Sequence, residues 1–401
     1  MKSLYAIITL FFCFTTFAQN IAIGGVIKDA VTKEPVIAAS VGVQNSGLGT
    51  ITNEEGVFQL SAPKSATIVI SYLGYKTKYI PGFDFKDNQI ILLEQSEEVL
   101  EEVMVTKIPL PKIMEEIIIA SKARFNKPIV LHTYYREFVK VDGKHKKFSD
   151  GVLDYHASGG SKKTKSDLIV KQNRAFSLTS TNEEDDDQIT GTLNVQKGIS
   201  NSYSFEFLES NILKDKNLIN YELTLKSRKN VEGRELHAII IEPRKEIEKA
   251  LFEGAVIYDP ETKLIYEVDL HLAESHKQFP RTISLLGLHV ALLETKFRAA
   301  YKMVNNNYVL SYNNRHVKYK VWTKKDQEIT ESRSDLIVTD FEKDDLTYNK
   351  KEVYKKKYLY DKPTSYNGKF WQKNNAIVLT DEEEKVIASL EKEVVSTPKA
   401  E

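Results

Sequence analysis

The chain has 401 residues, with 56 basic and 56 acidic side chains, and its formal net charge is zero. A chain of this length has room for two or three domains, and its balanced charge argues against nucleic acid or an anionic membrane as a partner. The single cysteine, Cys13, precedes the first predicted domain, which excludes disulfides, thiolate metal ligands and a cysteine nucleophile from the rest of the chain.

Residues 1–18 have the pattern of a secretory signal peptide. Lys2 provides the positive start, residues 4–14 are apolar, and residues 16–18 (Thr-Phe-Ala) form a small-x-small cleavage site. The apolar stretch is too short to cross a bilayer of about 30 Å as a helix, so cleavage near Ala18–Gln19 is favoured over a retained anchor. We expect export to the periplasm or association with the outer membrane. No later stretch is long and apolar enough to predict a transmembrane helix.

Short apolar stretches separated by turn residues follow over residues 21–94. Such strands, with turns about every 8 to 12 residues, are typical of a β-sandwich or a barrel. The sequence therefore predicts a seven-stranded sandwich, with strands over residues 22–27, 36–43, 48–52, 57–60, 66–72, 75–80 and 89–93.

Four sequence blocks in this region carry a resemblance to a known family. They start at Gly25 (Gly-Val-Ile-x-Asp), Glu34 (Glu-Pro-Val-x-x-Ala), Gly49 (Gly-Thr-x-Thr-Asn-x-x-Gly-x-Phe) and Ser71 (Ser-Tyr-x-Gly-Tyr). In this order they resemble the carboxypeptidase-regulatory-like domain, a transthyretin-like sandwich common in exported Bacteroidetes proteins. The resemblance implies a binding or spacer module without catalytic residues of its own.

Two residues of the third block have specific roles in a tight hairpin. Gly56 suits a position with positive φ, which a residue with a Cβ adopts only at a cost. Asn53 stands where the family often has Asp, and either side chain closes an Asx-turn.

Residues 95–110 are interpreted as a linker. The same module often precedes TonB-dependent outer-membrane receptors, and residues 100–106 resemble the energy-coupling segment that follows it there. The rest of the chain is too short for a plug and a large transport barrel. We therefore favour an extended linker strand for this segment.

Residues 111–395 are predicted to form one β-rich domain with a helix near each end. Apolar residues at helical spacing predict an amphipathic helix over residues 112–125, and residues 264–272 alternate between apolar and polar side chains as a strand does. Three hairpins are predicted, with strands over residues 221–226 and 235–241, 255–258 and 264–272, and 308–312 and 315–322, the last pair turning at Asn313-Asn314.

The C-terminal part of the chain shows a helix signal. Residues 380–383 (Thr-Asp-Glu-Glu) form a capping box, and Val386, Ile387, Leu390 and Val394 form an apolar stripe behind it. Residues 396–401 are predicted as a frayed tail.

The predicted fold class is mainly β, with a transthyretin-like sandwich followed by a larger antiparallel domain, a curved sheet or half-barrel with flanking helices. The strand order resembles the half-barrels of periplasmic lipoprotein carriers, a likeness of fold alone. Residues 134–137 (Tyr-Tyr-Arg-Glu), 255–259 (Ala-Val-Ile-Tyr-Asp) and 370–390 also resemble Bacteroidetes proteins that share the N-terminal module, which implies no chemistry.

His271 and Glu274 form an H-x-x-E pattern, the spacing that metallocarboxypeptidases use for two zinc ligands. Residues three apart on a strand point to opposite faces, and His271 lies within the alternating stretch. We therefore interpret His271, with Glu267 and Asp269, as part of a solvated strand face. No catalytic residue, metal site or cofactor is predicted.

Residues 183–187 (Glu-Glu-Asp-Asp-Asp) are an acidic cluster. Clustered carboxylates suit calcium, but this cluster lacks the spaced ligands and the glycine of a calcium-binding loop. A solvated loop is therefore favoured over a calcium site.

The chain has 20 tyrosines and 18 phenylalanines, most of which we expect in the core. Four aromatic residues are predicted to line a binding groove or to stack on sugars: Tyr134, Tyr135, Tyr155 and Trp322.

The functional hypothesis is a non-catalytic, exported cell-envelope binding or scaffold protein, with the sandwich as a spacer or interaction module. Its expected partner is an envelope protein, a glycan or a lipid, and not a nucleic acid. Two alternatives stay open. One is a periplasmic half-barrel that binds lipid or lipoprotein, and the other is a metal-dependent, carboxypeptidase-like hydrolase with His271 and Glu274 as the first residues to test.

Overall fold

The structure is a computed structural model that describes residues 20–72, 75–86, 88–95, 104–125, 128–160, 163–178, 194–229, 235–285, 287–343, 347–365 and 377–396. The predicted signal peptide, the acidic cluster at 183–187, residues 370–376 and the predicted tail after residue 396 lie outside the described residues.

The N-terminal domain consists of seven strands in two sheets. The strands are β1 (Asn20–Asp29), β2 (Ser40–Val43), β3 (Gly49–Ile51), β4 (Val57–Pro63), β5 (Thr67–Ser71), β6 (Lys78–Pro81) and β7 (Gln89–Leu93), with a 3-10 helix (Gly82–Asp84) between the last two. One sheet has the order β4-β1-β7 and the other β3-β2-β5-β6. The predicted seven-stranded sandwich is confirmed.

The core of the sandwich is formed by alternate residues of its strands. Ile23 and Ile27 of β1 are buried against Phe58 of β4 and against Ile68 and Ile70 of β5. Each such side chain contributes about 1.5–3 kcal/mol when it is fully removed from water. This apolar cluster provides the domain with a core that does not depend on a disulfide.

The hairpin between β3 and β4 has the two predicted turn residues. Gly56 has a φ of +76°, and a Cβ there would lie 2.4 Å from the carbonyl oxygen of Ile27. Asn53 Oδ1 accepts hydrogen bonds from the backbone N–H groups of Glu55 (3.0 Å) and Val57 (2.8 Å). Both predicted roles are confirmed.

The larger domain is built on one eleven-stranded antiparallel sheet. Its strands are β8 (Ile129–Val141), β9 (Lys144–Gly160), β10 (Lys163–Ser177), β11 (Tyr221–Lys229), β12 (Glu235–Pro243), β13 (Phe252–Tyr258), β14 (Ile265–Leu272), β15 (Arg281–Leu285), β16 (Leu288–Val304), β17 (Asn307–Trp322) and β18 (Gln327–Lys343). The order is β10-β9-β8-β18-β17-β16-β14-β13-β12-β11, with β15 paired to β16. The predicted mainly β fold with a larger antiparallel domain is confirmed.

The strand register defines two faces of this sheet. One row of paired residues runs across eight strands through Tyr135, Leu336, Asn313, Ala299, Val268, Val256, Ile239 and Leu225. We call the face that carries this row the helical face, because the helices that follow pack on it. The opposite face is called the sandwich face.

Helices cover the helical face. They are α1 (Leu110–Arg124), a 3-10 turn (Val195–Lys197), α2 (Gly198–Ser204), α3 (Glu206–Leu208), a π-helical turn (Glu209–Leu213) and α4 (Asp215–Leu218). The amphipathic helix predicted over residues 112–125 is confirmed as α1. Its buried stripe of Met114, Ile117 and Ile118 packs in the same cluster as Tyr203 of α2 and Leu270 of the sheet.

The first two predicted hairpins are confirmed as β11–β12 and β13–β14, but the third is wrong. Asn313 and Asn314 lie in the middle of β17, where Asn313 Nδ2 donates to Ser202 Oγ (2.6 Å) and Asn314 Nδ2 donates to Asp335 Oδ1 (2.7 Å). The turn instead lies at Asn305 and Asn306, whose φ values are +47° and +63°. Tertiary partners therefore hold one Asn-Asn pair in a strand, and the other forms the turn.

The C-terminal helix α5 (Asp381–Ser396) begins with the predicted capping box. Glu383 N–H donates to Thr380 Oγ1 (3.1 Å), and Thr380 N–H donates to Glu383 Oε2 (2.9 Å). Ile387 and Leu390 of the predicted stripe are buried against Phe138 and Phe148.

A segment with two 3-10 turns (Lys350–Glu352 and Leu359–Asp361) runs along the edge strand β10. Isolated bridges join Val353 to Ile169 and Ser365 to Asn173. The segment thus occupies part of the backbone edge that β10 would otherwise present to another chain. Among the helices of the described ranges, none combines the length and the apolarity needed to cross a bilayer.

Candidate functional site

The sandwich is docked on the sandwich face of the sheet. Ile51 at the end of β3 is buried in a cluster with Tyr134, Tyr312, Ile337 and Ile377, all from the larger domain. Its side chain is thus directed away from the sandwich core. Burial of this cluster gives the docking an apolar centre.

Polar contacts surround this apolar centre. Asn53 Nδ2 donates to the carbonyl oxygen of Val378 (3.1 Å), and Lys302 Nζ donates to that of Gly47 (3.0 Å). The Arg298 guanidinium lies 5.0 Å from the ring centroid of Tyr72, and Arg333 forms an ion pair with Glu54. The sandwich therefore contacts the larger domain through several of its loops.

A buried polar network lies beneath this interface. Arg136 is 2 % exposed, and its guanidinium donates from Nε to Asp335 (2.9 Å) and from Nη1 to Glu383 (3.1 Å). It thereby joins the sheet to the capping residue of α5. Burial alone would raise the pKa of Asp335, but the guanidinium groups of Arg136 and Arg333 hold it below its usual value.

The four aromatic residues that were predicted to line a binding groove lie in different parts of the larger domain. Tyr134, Tyr135 and Tyr155 are buried, and their hydroxyls donate to Asp150 Oδ2 (3.1 Å), Glu137 Oε2 (3.0 Å) and the Val195 carbonyl (2.7 Å). Trp322 is half-buried at the end of β17 and stacks on His289 with ring centroids 5.3 Å apart. Tyr134 and Tyr135 point to opposite faces, so the structure does not bring the four into one groove. Their role in binding stays a prediction.

The H-x-x-E residues are engaged in local contacts. His271 Nε2 lies 3.1 Å from Glu253 Oε1, and Glu274 pairs with Lys277. His276 is 1 % exposed, with Nε2 at 3.3 Å from the Arg244 carbonyl oxygen. Within the ranges that the structure describes, no group of three or more His, Cys, Asp or Glu residues is placed to hold a metal ion.

The clearest candidate for a binding site is a cleft of about 190 Å³ on the helical face. It lies where the helical segment 201–211 meets β16 and β17. We call it the Arg315 cleft and define it by Phe207, Ser210, Asn211, Phe297, Arg315 and Val317.

Arg315 is the buried charged residue of this cleft, which Lys296 and Glu206 also line. The residue is 8 % exposed, and its guanidinium lies 5.5 Å from the ring centroid of Phe297, the residue paired with it on β16. Burial lowers the pKa of Arg315 from its usual value, while Tyr135 and Glu206, which lines the same cleft, act in the opposite direction. An arginine keeps its charge under such a shift, so the cleft holds a permanent cation.

Aromatic rings form the wall of the cleft. Phe207 stacks on Phe297 with centroids 5.1 Å apart and an interplanar angle of 15°, and it meets Phe252 edge-on at the same distance. Stacked and edge-to-face pairs of this kind are each worth roughly 0.5–1.5 kcal/mol beyond the buried area. The wall is thus apolar and preorganised.

The backbone that presents these side chains is irregular. Phe205, between α2 and α3, has a φ of +50°, a left-handed conformation that is uncommon for a residue with a bulky side chain. The next turn, Glu209–Leu213, is π-helical. Left-handed residues and π-turns are strained, so they persist only where the surrounding structure holds them in place. They are common at functional sites. Sequence reasoning missed this cleft, since neither feature leaves a local signal.

A second cavity, of about 230 Å³, lies at the C-terminal end of α1. Arg124 lines it and donates to the Asn306 carbonyl oxygen (3.2 Å), while Tyr308 and Lys343 line its other sides. The guanidinium is thus engaged with the β16–β17 turn. Phe125 and Tyr308 also line this cavity, and they stack on Tyr203 and Tyr301 respectively.

A titratable cluster lies near the end of β8. His132 Nδ1 lies 2.8 Å from Asp154 Oδ1, and Nε2 lies 3.4 Å from Glu342. The hydrogen bond with Asp154 raises the pKa of His132 above 6.5. The charged imidazole therefore stabilises the folded state fully below about pH 6.5, and this contribution is lost as the pH rises through the folded-state pKa.

Replacing His132 by asparagine is expected to remove this pH dependence. Urea unfolding at about pH 6 and about pH 8 should show that the wild-type chain loses stability relative to His132→Asn on going to the higher pH. His289→Asn is the matched control, because that histidine lies against Trp322 and Ser284 instead of a carboxylate. If the stability of the wild-type chain and that of His132→Asn changed equally with pH, His132 would not be the source of the pH dependence.

Comparison with models of known protein families identifies the family of the N-terminal domain. Residues 23–105 match the model of the CarboxypepD_reg-like domain family, a range that begins within β1 and extends past the end of β7. The resemblance predicted from the four sequence blocks is confirmed. The sandwich is thus a carboxypeptidase-regulatory-like module.

A curated relative matches about a quarter of the chain. The chain is similar to the TonB-dependent receptor SusC of Bacteroides thetaiotaomicron, with 40% identity over 96 residues. The match covers 24% of this chain and spans only 9% of the receptor's length. This source agrees with the predicted Bacteroidetes type.

Two solved structures show weaker likeness. One, described as lipid–protein interactions in lipovitellin, has 11% identity and a TM-score of 0.25, covering 56% of this chain and 26% of that one. The other is a DUF1329 family protein from Desulfovibrio piger, with 9% identity and a TM-score of 0.23, covering 57% of this chain and 92% of that one. At these TM-scores neither likeness establishes a shared fold.

Proposed function

We propose that this chain is a non-catalytic binding protein of the cell envelope, with the sandwich as an interaction module and the larger domain presenting the Arg315 cleft. The observation that carries the proposal is the match of residues 23–105 to the CarboxypepD_reg-like domain, and the similarity of 96 residues of the chain to a TonB-dependent receptor supports it. A periplasmic or outer-membrane location follows from the predicted signal peptide over residues 1–18.

The cavities support a small ligand group over a lipid chain. The two cavities described above measure about 190 and 230 Å³, below the roughly 300–1,000 Å³ of pockets that enclose a whole small molecule. The helical face is filled by α1 and α2, which pack on the sheet through Met114 and Tyr203. These dimensions favour the binding proposal over the half-barrel carrier.

Fractionation of cells tests the proposed location. The full chain with a C-terminal epitope tag, expressed in a Bacteroides host, is expected in the periplasmic or outer-membrane fraction, shortened at its N-terminus. The matched control lacks residues 2–18 and should remain in the cytoplasm. Recovery of the full chain in the cytoplasm would show that the envelope proposal is wrong.

A further inference from the structure

The large sheet ends in β10 on one side and in β11 on the other, and both end strands are covered in part. Val353 and Ser365 form isolated bridges to β10, and the Leu225 carbonyl oxygen of β11 accepts a hydrogen bond from the backbone N–H of Met104 (2.9 Å). β15 is a further edge strand, because it pairs with β16 alone. Within the described residues, no backbone hydrogen bond or bridge is formed on its other side.

β15 lacks most of the features that protect an edge strand. Residues 281–284 are all exposed, and Ile283 is 55% exposed. The pairing with β16 runs from Arg281 to Leu285 without a bulge, and Arg281 is the one charged residue of the strand. Charged side chains, prolines, bulges and covering segments normally keep edge strands from pairing with other chains. β15 is therefore open to a further strand.

The register of the β15–β16 hairpin shows which backbone groups face the open side. Leu285 and Leu288 form the pair that flanks the two-residue turn. The pair that flanks such a turn is hydrogen-bonded, and from there hydrogen-bonded and non-hydrogen-bonded pairs alternate along the ladder. Ile283 therefore directs its backbone groups to β16, whereas Thr282 and Ser284 direct theirs to the open side.

A row of apolar side chains leads to this edge along one face of the sheet. Val321 pairs with Val290, and Val290 pairs with Ile283. Val290 and Val321 also pack against the buried residues Val317 and Tyr319. A strand that is added to β15 would continue this row if it placed an apolar residue opposite Ile283.

β15 is complementary to a second copy of itself. Antiparallel pairing about a twofold axis at Ile283 places this residue opposite its own copy and Thr282 opposite Ser284. Pairs of β-branched side chains and pairs of hydroxyl side chains are both favourable across antiparallel strands. In this register Thr282 and Ser284 form the hydrogen-bonded pairs with their outward backbone groups, and Ile283 forms the closer, non-hydrogen-bonded pair.

The charges at this edge agree with the same arrangement. Arg281 of one copy lies opposite Leu285 of the other, so the two arginines are four residues apart along the strands, or roughly 14 Å. This separation exceeds the Debye length of about 10 Å at 0.1 M salt, so their repulsion is largely screened. Pro280 precedes the strand and has no N–H to donate, which limits the pairing to β15 itself.

From these features we infer that two copies of this chain associate through β15, in antiparallel register about Ile283, and so join their large sheets into one. The inference concerns a surface outside the sandwich and the Arg315 cleft, and it goes beyond the proposed function. The strand has five residues, so the contact is small and the dimer should dissociate on dilution.

Sedimentation velocity of the purified chain between about 1 and about 200 µM tests the association. The mean mass is expected to rise with concentration from that of one chain towards that of two. Ile283→Lys should raise the dissociation constant roughly tenfold or more, because two ammonium groups would face each other across the pair. Ile119→Lys is the matched control, since Ile119 is 63% exposed on α1 and should leave the association unchanged.

Disulfide cross-linking tests the register. The sequence has no cysteine after Cys13, so a cysteine introduced into the chain without its predicted signal peptide is unique. Ile283→Cys should form a disulfide-linked dimer on mild oxidation, because a non-hydrogen-bonded pair has Cα atoms about 4.5 Å apart, within the range that a disulfide spans. Arg281→Cys is equally exposed but lies too far from its copy, so it should remain largely unlinked.

Three results would overturn the inference. A chain that stays single at every concentration would leave β15 to a strand of another protein or to none. Self-association that Ile283→Lys leaves unchanged would place the contact elsewhere on the molecule. Cross-linking of Arg281→Cys as complete as that of Ile283→Cys would exclude the register about Ile283.

Discussion

Replacing Arg136 by alanine is expected to lower the free energy of unfolding by about 3–5 kcal/mol. The guanidinium is 2 % exposed and binds Asp335 and Glu383, of which Asp335 is itself 3 % exposed. Without Arg136, the Asp335 carboxylate loses the main group that compensates its burial. Urea unfolding at neutral pH measures the difference.

An exposed ion pair on the same face of the sheet provides the control for Arg136. Lys318 pairs with Glu294 at 3.2 Å, and the two side chains are 31% and 38% exposed. Lys318→Ala should cost less than about 1 kcal/mol, because water solvates the partner that is left.

A double replacement, Arg136→Met with Asp335→Leu, tests whether the loss of stability in Arg136→Ala comes from the Asp335 carboxylate that is left without its partner. If the isolated carboxylate causes the destabilisation, the double variant should recover much of the stability lost in Arg136→Ala. A loss in Arg136→Ala no larger than in Lys318→Ala would contradict the role of this network.

The sandwich could be predicted from sequence because its determinants are local. Gly56 and Asn53 define one hairpin through backbone conformation and an Asx-turn, and both act within four residues of themselves. The alternation of more and less buried side chains along β1 is likewise contained in ten consecutive residues. The same Asn53 also donates to Val378, 325 positions away, and no local pattern contains that contact.

The two Asn-Asn pairs show where local reasoning fails. Asn305-Asn306 and Asn313-Asn314 have the same turn propensity, and only the first pair forms the turn. Ser202 and Asp335, which hold the second pair in the strand, come from distant parts of the chain. Tertiary hydrogen bonds therefore determine which of the two Asn-Asn pairs forms the turn.

The Arg315 cleft could not be predicted for a related reason. Arg315 stands in a strand in which apolar and polar residues are interleaved, and its burial depends on the helical segment packed over it. The left-handed Phe205 carries no sequence signal, since left-handed positions favour glycine and asparagine. The tyrosines chosen from sequence are, by contrast, large residues that fill the interior.

Replacing Ile51 by lysine is expected to separate the sandwich from the sheet while both remain folded. Ile51 is 4 % exposed and packs on Tyr134 and Ile337, outside the cluster that forms the sandwich core. The neighbours of Ile51 in this cluster are apolar or aromatic, and the nearby carboxylates of Asp150 and Asp335 are already bound by Arg174 and Arg136, so a new ammonium group would lack a partner of its own. An uncompensated buried charge costs about 3–5 kcal/mol, so the docked arrangement should be strongly disfavoured in this variant.

Small-angle X-ray scattering and thermal unfolding measure this separation. Ile51→Lys should increase the radius of gyration and replace one cooperative transition by two, because the domains no longer stabilise each other. Ile90→Lys is the matched control, since Ile90 is 62% exposed on β7 and should leave both measurements unchanged. If Ile51→Lys kept the wild-type radius and a single transition, the apolar centre around Ile51 would not be what holds the sandwich on the sheet.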